Sequence, residues 1–287
     1  MAIFQFKVSC YGVPPSVRVY MAIGSRWLMT DGAGGLPVGS VLDSLPVNTT
    51  DRTRVLLRLD EATRNDDVST ELALLPVERA VPIRRFFAWP GKRNYEGLWW
   101  SNTARGHVPF ESLLEREYVM SADFDPHIVA IAAQPLALLW PRRTVGQKSH
   151  VPDFFVRLKN GDGRLVDVRH PNRVSRAAAQ FTLTRQVCAE IGWEYEIFTG
   201  LEPVAEQNMR WLAGYRRDRC APADETVAVI TRCFAHPLPL GLGVYRVSRS
   251  TGASKDMVLA NVLHLLWRRQ LSANLNAPLS LDAEVSA

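Results

Sequence analysis

From about residue 96 onward the spacing of apolar residues changes period several times, and each change predicts an element. The runs "GLWW" and "RGHVPF" predict two strands. In "ESLLEREYVMSA", Leu114 and Tyr118 stand four apart, with Leu113 and Met120 nearby on the helical wheel, which predicts a helix. The run "IVAIAAQPLALLW" predicts a buried strand with an edge or bend at Gln134-Pro135. A hairpin follows in "VPDFFVRLKNGDGRLVDVRH", residues 151–170, then a helix in "SRAAAQFTLTRQVCAEIG" stopped by Gly192, and a strand in "WEYEIFTG". Strand, helix, several strands, helix and strand make a mixed α/β layer.

The flanks have other textures. Residues 1–95 mix β-like runs, "FQFKVSCYGV" and "RVLLRLD", with stretches that look turn-rich, "DGAGGLPVG" and "ATRNDD", and carry no repeat or catalytic pattern. Beyond residue 203, "DETVAVITRCFA" and "SKDMVLANVLHLLWRRQL" look helical, and "ANLNAPLSLDAEV" resembles a short terminal hairpin. Helices followed by a small hairpin suggest a winged-helix-like domain. The expected division is therefore 1–95, a β-rich extension; 96–203, a mixed α/β domain; and 204–287, a winged-helix-like domain.

The hairpin carries the candidate chemistry. Phe154, Val156 and Leu158 are the even apolar set of its first strand, and Val166 and Val168 that of its second. Burying both sets together requires odd residues to pair with odd. The expected register sets Asp153 opposite Arg169 and Phe155 opposite Asp167, with an odd-length turn in "KNGDG" where Gly161 and Gly163 can take positive φ. Asp153, Asp167 and Arg169 then share a face. Hard divalent cations take such carboxylates, and a metal between phosphate and water polarises one and acidifies the other. The same pattern also serves a surface hairpin, whose Asp–Arg pair contributes under about 1 kcal/mol.

Charge changes the balance between these readings. The net charge of +5 is mild, but residues 141–185 hold ten Lys and Arg against three acids, a local excess that suits a polyanion. Cys10, Cys188, Cys220 and Cys233 form no C-x-x-C pair, and no signal-peptide pattern opens the chain, so the expectation is a reduced, cytoplasmic protein. The longest apolar run is too short for a bilayer span, which takes about 20 residues.

Proline-aspartate, an apolar strand, a turn and acid-x-cation resembles the P-D … [D/E]-x-K signature of the restriction-endonuclease-like fold. Together with "FESLLEREYVMSADFDPHIVAIAAQPLALLW" and "IGWEYEIFTGLEP", the hairpin is similar to TnsA-like heteromeric transposase endonuclease subunits over roughly residues 105–203. The resemblance implies a catalytic set of Glu115, Asp153 and Asp167, with Arg169 at the family's lysine, and metal ligands Glu115, Asp153, the Val168 carbonyl and Asp167. Glu111 and Glu117 are the other acids of the same helix. Arg173, Arg176 and His170 are candidate DNA contacts, and His150 is a lesser candidate.

The expected function is hydrolysis of a phosphodiester at transposon ends, with Mg²⁺ or Mn²⁺. A DDE-type transposase and an ATPase regulator are the partners that the resemblance implies. A guanidinium stays protonated where a lysine can release its proton. One alternative follows, a non-catalytic DNA-binding or assembly subunit, and a second stands beside it, a stand-alone restriction or repair nuclease.

Overall fold

The computed structural model describes residues 19–23, 26–30, 45–60, 62–83 and 95–287. The runs "FQFKVSCYGV" and "DGAGGLPVG" lie outside the described residues. Near the start of the chain, β1 (Val19–Ile23) and β2 (Arg26–Thr30) pair as an antiparallel ribbon. Next come β3 (Arg54–Leu59) and β4 (Ala62–Asp67), also antiparallel. The second of these corrects the turn-rich expectation for "ATRNDD". Pairing with β3 holds this polar segment as an edge strand, and Arg54 bonds Asp67 at 2.7 Å and Asn65 at 2.9 Å. Cross-strand partners override a poor strand propensity, and exposed charge suits an edge.

After residue 95 run β5 (Gly97–Ser101), β6 (Gly106–Phe110), α1 (Leu113–Phe124), β7 (Ile128–Ala133), β8 (Leu136–Leu139) and β9 (Ser149–His150). β10 (Phe154–Leu158), β11 (Gly163–Val168), α2 (Ala178–Ile191) and β12 (Glu194–Phe198) complete the mixed α/β layer. One four-stranded sheet has the order β12-β11-β10-β7, with β11 and β12 parallel and the other pairs antiparallel. A second has the order β4-β3-β8-β9, so residues 54–67 share a sheet with strands from beyond residue 95.

Both faces of the first sheet are covered. The even residues Phe154, Val156, Val166 and Val168 pack with Tyr118 and Val119 of α1, while the odd residues Phe155 and Leu165 pack with Val187, Cys188 and Ile191 of α2. Full burial of each large apolar side chain contributes about 1.5–3 kcal/mol. This is why the hairpin has no solvent face, and why its strands read as nearly continuous apolar runs.

The run "IVAIAAQPLALLW" is two strands in different sheets. Gln134 takes φ +47° at the crossing, where Pro135 cannot supply a ladder N–H. The chain crosses between the sheets again at Val151-Pro152-Asp153, since β9 pairs with β8 and β10 with β7. A bond of 2.9 Å from Gln134 N to the Asp153 carbonyl oxygen ties the two crossings together. Asp153 thus stands at the junction of the sheets.

The tail comprises α3 (Pro203–Ala213), α4 (Asp224–Cys233), β13 (Leu238–Pro239), α5 (Leu240–Thr251), α6 (Lys255–Trp267), β14 (Ser272–Ala273) and β15 (Glu284–Ser286). The last three strands form a small sheet ordered β13-β15-β14. α5 was not foreseen. Its sequence "LGLGVYRVSRST" has two glycines and three β-branched residues, all poor helix formers. Gly243 is required because an added Cβ would fall 2.1 Å from Cζ of Phe234, a fully buried ring. No helix among the described residues is long and apolar enough to cross a membrane.

Candidate active site

The observed register differs by two residues from the expected one. Phe155 pairs with Leu165 and Arg157 with Gly163, and continuing the ladder sets Asp153 opposite Asp167 rather than Arg169. Odd still pairs with odd. The turn is three residues, Lys159 to Gly161, closed by Leu158 N on the Asp162 carbonyl at 2.8 Å. Its third position needs a left-handed residue, and Gly161 takes it at φ +95°. The expected register would have put Asp162 there. Gly163 keeps negative φ and is needed for space, because a Cβ would come within 2.6 Å of Phe155.

Asp153 precedes β10 and turns its carboxylate onto the end of β11, where Oδ2 accepts the Val168 N–H at 2.7 Å. Surrounding protein atoms push its carboxyl up to about 8, with repulsion from Glu115 and Asp167 adding to the rise. The Val168 N–H and Arg169 oppose the shift without cancelling it. Three carboxylates are therefore electrostatically coupled here.

Asp167 is fully buried and faces α2. His150 Nε2 lies 2.9 Å from both of its oxygens, and the Tyr195 hydroxyl donates to Oδ2. Gln180 Nε2 meets His150 Nδ1 at 2.7 Å, which assigns the imidazole proton to Nε2, facing Asp167. Sequence reasoning ranked His150 low and missed Tyr195 and Gln180. A signal for Tyr195 was present: "WEYEIF" alternates, and the parallel register of Leu165 with Tyr195 sets Tyr195 on the face of Asp167.

Glu115 sits in the first turn of α1, where it completes a capping box. Ser112 Oγ accepts Glu115 N at 3.2 Å and donates to Glu115 Oε1 at 2.9 Å, while Oε2 accepts Glu111 N at 2.7 Å. Glu117 points elsewhere, accepting the Leu201 N–H. Arg169 leaves the end of β11 with its guanidinium 6.0 Å from the Phe181 ring of α2, and its buried Nε has no hydrogen-bond partner among the described residues. His170, Arg173 and Arg176 are exposed on the short helical turns that follow; His170 Nδ1 accepts Asn172 N at 3.3 Å.

Among the described residues, no group of three or more His, Cys, Asp and Glu is gathered to hold a metal ion as the side chains stand. The reason is visible: Glu115 faces its own helix cap, and Asp167 faces His150 and Tyr195. The donor chemistry nevertheless suits a hard divalent cation. The Asp153 carboxyl is held above its ordinary range first by burial and then by the charges of Glu115 and Asp167, and a bound cation would offset both.

A family model described as TnsA-like endonuclease N terminal matches residues 125–200. That stretch runs through β7 to β12 and includes Asp153, Asp167, Val168 and Arg169, whereas Glu115 precedes it. No curated protein matches the chain.

Proposed function

From the premise that residues 125–200 are a TnsA-like endonuclease N-terminal domain, we propose that the chain is the metal-dependent DNA endonuclease subunit of a heteromeric transposase. It would hydrolyse a phosphodiester at the transposon ends beside a DDE-type transposase and an ATPase regulator. The observation that supports this reading is the place of Asp153 at the sheet junction inside the matched stretch, with its Oδ2 on the Val168 N–H at the end of β11.

Asp153, Glu115 and the Val168 carbonyl are the proposed holders of Mg²⁺ or Mn²⁺. When bound, such an ion polarises a phosphoryl oxygen and acidifies water. Asp153 would have to give up its proton to solvent to hold such an ion. Asp167 fixes the end of β11 through His150 and Tyr195, and so sets the position of the neighbouring Val168 and Arg169. Arg169 supplies a permanent positive charge toward developing phosphorane charge. Arg173, Arg176 and His170, exposed beyond β11, are proposed to meet DNA phosphates. The tail, with its helix–helix–strand–helix–helix–strand–strand order and three-stranded sheet, is proposed to be a winged-helix domain.

A second reading, an assembly subunit that has lost chemistry, is favoured by one observation: Glu115 and Asp167 already have protein partners. The test is nicking of DNA carrying the element's end, with Mn²⁺ and the partner transposase. Metal-dependent nicking by wild type, lost in Asp153→Ala, supports the nuclease. No nicking by wild type but activity in Arg169→Lys supports the second reading.

A further inference from the structure

α5 and α6 are joined by Gly252-Ala253-Ser254, with Gly252 closing α5 at φ +74° and Ser254 Oγ accepting Met257 N. Two helices separated by a short glycine-containing turn form a helix-turn-helix, whose second helix ordinarily lies in the major groove. Here that helix is occupied. Every residue from Asn261 to Trp267 is buried. Asn261 donates to the Cys220 carbonyl at 3.0 Å, His264 Nδ1 lies 2.8 Å from the Tyr215 carbonyl oxygen, and the Trp267 ring packs 5.2 Å from Phe124 of α1. Only the first turn of α6, Lys255 to Met257, is exposed.

The loop between β14 and β15 offers no substitute. Residues 274–283 hold no Lys or Arg and include Asp282. Asn208 of α3 pins this loop, donating to the Leu275 and Ala277 carbonyls at 2.8 and 2.7 Å and accepting Leu279 N at 2.9 Å.

The face left open is basic. α5 exposes Tyr245, Arg246 and Arg249, and Arg232 of α4 lines the same shallow concavity as Arg246. Lys255 stands 5.3 Å from the Tyr245 ring. Arg232, Arg246 and Arg249 have no ion-pair partner among the described residues. Along the chain the nearest acid to Arg246 and Arg249 is Asp256, at the start of α6, and the nearest to Arg232 is Glu225, in the first turn of α4.

We infer that the C-terminal unit grips the phosphate backbone of duplex DNA across the outer face of α5, through Arg232, Arg246, Arg249 and Lys255, with α6 entering no deeper than its first turn. This rests on the reading of the chain as a DNA nuclease, and it assigns the tail a positioning grip rather than a sequence reader. Backbone contacts fix orientation and carry no direct sequence information. Each neutralised phosphate contributes about 0.9 to the slope of log affinity against log salt.

The experiment measures anisotropy of a labelled duplex with the full chain in EDTA, over a series of KCl concentrations. Arg246→Ala/Arg249→Ala should lower the salt slope by about two and weaken binding at least about tenfold at low salt. Arg232→Ala alone should lower the slope by about one. Melting temperatures matched to wild type would exclude misfolding as the cause. An unchanged slope in the double variant overturns the α5 surface, including the case in which that variant instead loses association with a partner protein. Because no metal is present, binding that depends on α5 together with no nicking by wild type in Mn²⁺ would overturn the nuclease reading alone.

Discussion

His150 Nε2 and the Asp167 carboxylate meet at 2.9 Å with both side chains buried, joining β9 of one sheet to β11 of the other. Tyr195 completes the arrangement from β12. Removing the acid strands an imidazole and a phenol in the interior, which costs more than the bond itself contributes. Asp167→Ala should destabilise the chain by about 3 kcal/mol, and Asp167→Asn by about 1–2 kcal/mol, in urea unfolding. A loss below about 0.5 kcal/mol for Asp167→Ala would mean that the network is not formed in solution.

Asp153 makes stability depend on pH in a defined direction. Its carboxyl is raised from 3.8 to about 8, first by burial and then by Glu115 and Asp167. Between those values the folded chain keeps a proton that the unfolded chain has released, so stability falls as pH rises through the window. Asp153→Asn keeps an acceptor for Val168 N and removes the titration. Its stability relative to wild type should be near zero at low pH, grow between pH about 4 and 8, and then level off. A difference that does not change with pH between about 5 and 8.5 would remove the coupling inferred here.

Two glycines of the hairpin should fail differently. Gly161 is left-handed with open space around it, so Gly161→Ala meets backbone strain of about 1–2 kcal/mol and no clash. Gly163 is not left-handed, but a Cβ there would press on Phe155 and on Trp193, 2.9 Å away. Gly163→Ala should cost about 1–3 kcal/mol through overpacking, and Gly163→Ala combined with Phe155→Leu should recover part of that. Additive losses in the double variant, measured by thermal unfolding, would argue against the contact.

Between β5 and β12 the two first strands, α1, the hairpin, α2 and β12 were legible in order because apolar periodicity changes cleanly there, and the parity of the hairpin followed from its alternation. The register did not follow, since sliding the turn by one residue keeps the parity and only the left-handed requirement at Gly161 distinguishes the two pairings. That "IVAIAAQPLALLW" divides between sheets was invisible because both halves are buried and equally apolar. α5 and β4 were hidden because their own propensities are weak: pairing with the adjacent β3 holds β4, and packing against α4, α6 and the terminal strands holds α5. Within the candidate site, the acids were legible as residue types in a pattern. Their hydrogen-bond partners were not, because Gln180 and Tyr195 reach Asp167 and His150 only through packing of α2 and β12.

Glu115 separates the structural and chemical roles of the first turn of α1. At its position glutamine can keep its oxygen on Glu111 N and turn its amide NH2 to donate to Ser112 Oγ, which retains the cap and deletes the charge. Ser112→Ala, which removes the cap oxygen, should cost about 1 kcal/mol. Glu115→Gln should cost much less, yet lower the Asp153 pKa, since one of the repelling charges is gone. Divalent-ion binding supplies the decisive comparison. Ca²⁺, followed by the rise in melting temperature, should stabilise wild type more at pH about 8 than at about 6, because Asp153 must lose its proton to bind. That rise should vanish in Asp153→Asn, weaken in Glu115→Gln and persist in Ser112→Ala. If Glu115→Gln binds Ca²⁺ as wild type does, Glu115 is a helix cap alone, and the proposed metal set contracts to Asp153 and the end of β11.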